Sequence, residues 1–252
     1  MFKKMILLLL LFLPGCFKES LIDGDSVLVV GTNAGFVPYE FVDEKGRVVG
    51  FDIDVAQAIA NKMGKRLIVK NMPFDALILS LKQEKIDLVI AGLSITKEKL
   101  NELAMIHYHG DGETEFPLVF WKKIPDNIKS INDLKNLKNK TVSVQVGNIQ
   151  EEFISKFDFL DIKPLSEISD LIMDIKYGKS IACVVENLVV KNLKKTFSEL
   201  CVLNIPLNSE DIDFGHGIAI KKGNEDLTKK INDIVGELKM DGSIKKIERS
   251  WF

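Results

Sequence analysis

Hydrophobic positions along this chain fall into short runs that alternate between two periods. Val27 to Gly31 is a β-branched run ending in glycine, and it predicts a strand. From Asp52 to Met63 the apolar residues fall at Ile53, Ala56, Ile59, Ala60 and Met63, a helical spacing stopped by Gly64. Leu67 to Val69 reads as a strand, Phe74 to Lys82 as a second helix, and Leu88 to Ala91 as a buried strand. Strand and helix alternating in this order predict a parallel sheet with helices on its faces.

The pattern then restarts. Pro117 to Trp121, Thr141 to Val146 and Ala182 to Val185 read as strands; Asp133 to Leu137, Gln150 to Phe157, Ile168 to Tyr177 and Leu188 to Lys195 read as helical. Gly217 to Ile220 is a last strand, and Leu227 to Ile247 a long helical stretch. Two α/β units result, without an internal sequence repeat. The expected division places one lobe at 27–111 with 217–252, a second at 116–211, and a two-segment hinge at 112–115 and 212–216. In open parallel sheets, ligands sit beyond the carboxyl ends of strands. The loops there are Asn33 to Tyr39, Gly92 to Thr96 and Gly147 to Gln150, whose backbone amides and short polar side chains suit an anion such as a carboxylate.

Charge and composition narrow the function classes. The 252 residues carry a formal net charge of −2 and are 46% hydrophobic, which speaks against a nucleic-acid partner and allows a substantial core. At the N-terminus, Lys3 and Lys4 precede an unbroken apolar stretch from Met5 to Leu13, the form of a signal peptide over 1–15. Leu13-Pro14-Gly15-Cys16 resembles a lipobox, so Cys16 is the expected acylated residue, with 16–26 as a lipid-anchored tether outside the cytoplasm. Cys183 and Cys201 sit in apolar runs and read as buried thiols, with a disulfide as the other possibility. No Cys-x-x-Cys or His-x-x-x-His spacing occurs, so neither a metal nor a cofactor is expected; His107 and His109 read as surface or hinge residues.

Two further motifs carry a family resemblance. Gly31-Thr32-Asn33-Ala34-Gly35-Phe36-Val37-Pro38-Tyr39-Glu40-Phe41, followed by Val49-Gly50-Phe51-Asp52-Ile53-Asp54, is the first; Phe74 to Lys82 with Ile86 to Thr96 is the second. Together they resemble the polar amino-acid-binding proteins, solute-binding protein family 3, and look most like its arginine-binding lipoproteins, with glutamine binders next. The resemblance implies a two-lobed periplasmic-binding-protein fold of type II. It also implies a monomer that closes on an amino acid and docks on the permease of an ABC importer.

The resemblance assigns roles to particular residues. Phe36 and Phe74 would sandwich the ligand side chain, where cation–π attraction adds about 0.5–2 kcal/mol for a cation. Ala91, Gly92 and Ser94 would meet the α-carboxylate together with Lys99, which stands where the family usually has Arg; Lys97 is the alternative. Gln145, Gly147, Asn148 and Gln150 match the loop that closes over the ligand, and Glu186 stands where an Asp usually accepts the α-ammonium. Asn33 replaces an Asp found in several relatives, and Glu40 is either a carboxylate for a cationic side chain or a surface residue. Arginine is the favoured ligand and glutamine the next. Other classes on this fold are arogenate or prephenate dehydratases, for which Glu186 would act as acid, and ligand sensors or surface antigens.

Overall fold

The computed structural model describes residues 26–252. The leader, Cys16 and all but the last residue of the tether therefore lie outside the described residues. The first lobe opens with β1 (Val27–Thr32), the small hairpin β2 (Phe41–Val42) and β3 (Val48–Val49), and α1 (Phe51–Met63). It continues through β4 (Arg66–Asn71), α2 (Phe74–Lys82), β5 (Leu88–Val89), α3 (Lys97–Glu102) and β6 (Leu103–His109). The chain then crosses into β7 (Glu115–Trp121), a 3-10 turn (Ile131–Asn136), β8 (Thr141–Gln145), α4 (Ile149–Ile154) and β9 (Asp161–Leu165). After α5 (Ile168–Lys176), β10 (Ala182–Val184), α6 (Asn187–Thr196) and β11 (Leu200–Pro206), it crosses back to β12 (His216–Lys221), α7 (Glu225–Met240) and α8 (Ser243–Trp251).

Two five-stranded sheets result, in the orders β4-β1-β5-β12-β6 and β11-β7-β10-β8-β9. In the first, β1 runs parallel to β4 and β5, while β12 is antiparallel to both β5 and β6. In the second, β8 runs parallel to β9 and β10, while β7 is antiparallel to β10 and β11. Each sheet is thus mixed where an all-parallel one was expected. The reversed strand is in both cases the first one after a crossing, because the chain enters each lobe from the other lobe's side. The crossings run through 110–114 and 207–215, the second being longer than expected because β11 ends at Pro206.

Glycine punctuates the helices. Gly64 adopts the left-handed conformation (φ 69°), and its amide closes α1 on the Ala60 and Asn61 carbonyls. Gly242 (φ 78°) splits the expected single C-terminal helix into α7 and α8, which pack against each other and against α1. On one face of the first sheet, Leu28, Val30, Leu88 and Ile218 meet Phe51, Val55 and Ile59 of α1 and Ile231 and Val235 of α7. On the other face, Leu77 and Leu81 of α2 cover Val89 and Ala219. The second sheet packs Leu118, Val142 and Val184 against Phe153, Ile154 and Leu134. Each such side chain contributes about 1.5–3 kcal/mol on full burial. Among the described residues, no helix is long and apolar enough to cross a membrane.

Both described cysteines are free thiols. Cys183 of β10 lies opposite Val119 and Cys201 of β11 opposite Phe120, so β7 stands between them. Cys183 is fully buried and its thiol is pushed well above the ordinary cysteine range by that burial, whereas Cys201 is partly exposed. In the native protein, iodoacetamide will therefore label Cys201 and spare Cys183 until denaturant is added, as peptide mass spectrometry will read. Equal labelling of both would contradict the packing described.

Candidate functional site

A cavity lies between the two lobes and is lined by twelve of the residues singled out from the sequence, though not by Gly147 of the closing loop. Asn33, Phe36, Glu40, Phe74, Ala91, Gly92, Ser94 and Lys99 come from the first lobe; Gln145, Asn148, Gln150 and Glu186 come from the second. Several stand at helix starts. Phe74 opens α2, Asn148 caps α4 with its side chain accepting from the Glu151 amide, and Glu186 holds the N-cap position of α6. Thr96 caps α3, accepting from the Lys99 amide at 3.2 Å, and so sets Lys99 on the cavity side. Lys97, the alternative cation, lines a separate outer groove with Lys156 and Phe214.

The aromatic wall is fixed from behind. Phe36 stacks on Tyr39 with ring centroids 4.7 Å apart, and Tyr39 in turn contacts Phe51, His109, His216 and Phe252 edge-on. His109 is part of this packing, with its ring 4.6 Å from Phe51, so it is not a surface residue, and it ends β6 directly before the first crossing; His107 is exposed. At Gly92 (φ 55°) a β-carbon would fall 2.2 Å from Cε1 of Phe36, so only glycine lets the strand end and the ring share this space.

Polar contacts tie the lobes across the cavity. Gln145 Nε2 donates to Asn33 Oδ1 at 3.0 Å, and Asn33 Nδ2 donates to the Met72 carbonyl at 3.1 Å. Lys99 Nζ lies 3.1 Å from Glu152 Oε1, with its own side chain only 11% exposed. Asn192 donates to the Val37 carbonyl at 2.8 Å. Glu186 Oε2 lies 3.6 Å from Nε2 of His216, which is buried at the start of β12. Burial alone would lower the His216 pKa, but the hydrogen bond and charge of Glu186 outweigh it, and the ring is held above its ordinary range.

Behind the wall lies a second layer that motif reading did not assign. Asp52, wholly buried at the start of α1, accepts from the Gly92 amide at 2.8 Å and from the Tyr108 hydroxyl at 2.7 Å. Glu40 is buried to 1% exposure beside it, which removes the surface reading of that residue. Burial, and then the neighbouring Asp52, push the Glu40 carboxyl well above the usual carboxylate range. Asp52 was visible in the Gly50-Phe51-Asp52 motif but reads there as a helix-start residue. Tyr108 and His216 had no sequence signal. The apolar lining of Leu93, Ile149, Ile168, Val185 and Val189 was also unassigned.

Comparison with known proteins agrees with this geometry. Residues 28–252 match the family described as bacterial extracellular solute-binding proteins, family 3. A probable ABC transporter arginine-binding protein of Chlamydia trachomatis is 36% identical over 239 residues, spanning 95% of this chain and 91% of that protein. The arginine-binding extracellular protein of Bacillus subtilis is 33% identical over 235 residues, spanning 91% and 87% respectively. Among solved structures, an ancestral arginine-binding protein bound to arginine superposes with a TM-score of 0.79 at 35% identity, covering 90% of this chain and 98% of that one. A mutant of the arginine-binding protein from T. maritima gives 0.81 at 32% identity, covering 90% and 95%. The likeness extends over both sheets, so the architecture is the two-lobed periplasmic-binding fold of type II.

Proposed function

The chain belongs to family 3 of the bacterial extracellular solute-binding proteins, and on that premise we propose that it captures L-arginine, with glutamine as second ligand, for delivery to an ABC importer. The observation that carries this reading is the charge pattern of the cavity: Lys99 on one side, Glu186 on the other, and the carboxyl of Glu40 in addition. A zwitterionic backbone uses the first two. Its carboxylate exchanges with Glu152 at Lys99, and its ammonium replaces His216 at Glu186. The side chain then runs between Phe36 and Phe74 towards Asn33, Gln145 and Glu40. Both partners of each polar contact are desolvated when the lobes meet, so recognition and closure are one event. The curated relatives are named as binding proteins, which removes the ground for a dehydratase.

Calorimetry with the common amino acids tests the ligand. Arginine should bind in the micromolar range or tighter, glutamine more weakly, and aspartate and glutamate not at all; binding of neither arginine nor glutamine would end the proposal. The extracytoplasmic site and the anchor rest on the Cys16 motif. Cys16→Ala should move the protein from the membrane fraction to the soluble fraction, since acyl chains and not the folded body hold it there. Retention of the variant on membranes would defeat that assignment.

A further inference from the structure

We infer that Glu40 and Asp52 share one proton in the empty cleft, and that a guanidinium entering the cavity expels it whereas a neutral amide does not. The inference rests on the arginine and glutamine reading above and adds a protonation state to it.

The geometry requires the proton. Two carboxylates can only accept hydrogen bonds, yet Glu40 and Asp52 are neighbours and both are buried away from water. Asp52 has its own donors, the Gly92 amide on Oδ2 and the Tyr108 hydroxyl on Oδ1. Taken as a carboxylate, Glu40 leaves Oε2 buried with no donor to accept from. Taken as an acid donating to Asp52, it loses that deficit. The ionisable groups facing Glu40 are Asp52 on α1, Tyr39 in its own loop, Tyr108 on β6, Glu186 after β10, His216 on β12, and Lys99 across the cavity. Lys99 is engaged by Glu152 and His216 by Glu186. No cation is left for Glu40 unless the ligand brings one.

One pocket can then serve two ligands through two protonation states. As an acid, Glu40 offers a hydroxyl to the amide oxygen of glutamine. As an anion, it meets the guanidinium of arginine, and the proton leaves to solvent. As long as the glutamine complex keeps the proton that the arginine complex has lost, the ratio of arginine to glutamine affinity should rise as much as tenfold for each pH unit, levelling off once the glutamine complex titrates.

Backbone recognition at Glu186 and His216 can also move protons, but it does so equally for both amino acids. The test is therefore a difference. Calorimetry of the full chain from about pH 5 to about pH 8, in buffers of different ionisation enthalpy, gives the protons released by each ligand. Arginine should release up to about one proton more than glutamine where the pair is protonated. Glu40→Gln should abolish that excess, and Asp52→Asn, which leaves the cavity lining intact, should shift its pH midpoint down. Equal release by the two ligands in the wild type overturns the inference while leaving the receptor reading intact. An excess that survives in Glu40→Gln overturns it as well. Failure of arginine to bind overturns both.

Discussion

Glu186→Gln lowers arginine affinity by roughly 30- to 1,000-fold, the equivalent of about 2–4 kcal/mol. Glu186 is the anion at the α6 N-cap, with a side chain only 14% exposed, and it faces His216 at 3.6 Å. An ammonium that replaces His216 there is cut off from water once the lobes meet, so its stabilisation depends on an anionic acceptor. Glutamine keeps the shape and removes the charge. The variant also removes the largest influence that raises the His216 pKa, leaving burial opposed only by the charges of Asp52 and Asp213. Glu186→Asp supplies the control, since it restores charge and shortens reach, and it should recover most of the affinity. Titration calorimetry of the three proteins decides the matter; wild-type affinity in Glu186→Gln would remove Glu186 from the site.

Gly92→Ala should cost at least about 30-fold in affinity while leaving a folded protein. The added methyl group would lie 2.2 Å from Cε1 and 2.7 Å from Cδ1 of Phe36. The ring has little room to retreat, because Tyr39 stacks behind it at 4.7 Å. Overpacking of this kind costs about 1–3 kcal/mol, and a left-handed non-glycine residue about 1–2 kcal/mol more. A drop of several degrees in melting temperature, about 5 °C, follows. Gly64→Ala separates the two causes. It carries the same backbone penalty at φ 69° with nothing within 4 Å of the new carbon. That variant should melt earlier yet bind normally; equal affinity in both variants would mean that the Phe36 wall does not grip the ligand.

Which parts of this structure were legible in the sequence follows from where burial is complete. β1, β5, β8 and β10 lie inside their sheets, are nearly all buried, and appear as apolar runs. Of the strands in the two large sheets, those that escaped, β6, β9 and β11, are all edge strands of mixed exposure, with Pro164 in β9 and Pro206 ending β11, and the two-residue strands of the β2-β3 hairpin escaped as well. Such strands lack the alternation or continuity that periodicity detects. The site shows the same division. Residues at strand ends and helix starts, such as Gly92, Ser94, Phe74 and Asn148, sit at fixed spacings and converge on the cavity as their motifs implied. Asp52, Tyr108 and His216 meet only because α1, β6 and β12 are brought together by a fold that returns to its first lobe after a long excursion.

The placement of β12 carries a consequence for the order in which this protein is made. β12 is not appended to the edge of its sheet; it lies between β5 and β6, which do not pair with each other. The first lobe therefore cannot close its sheet until residues 216–221 have been synthesised, nor bury the α7 face of its core until later still. The second lobe, by contrast, draws all five of its strands from 115–206 and can assemble from one continuous stretch. A nascent chain thus stays incomplete at its leading end while its middle is able to fold, so the N-terminal segment stays unlocked until the last helices arrive. The lobe that begins the chain is thus the last to be completed.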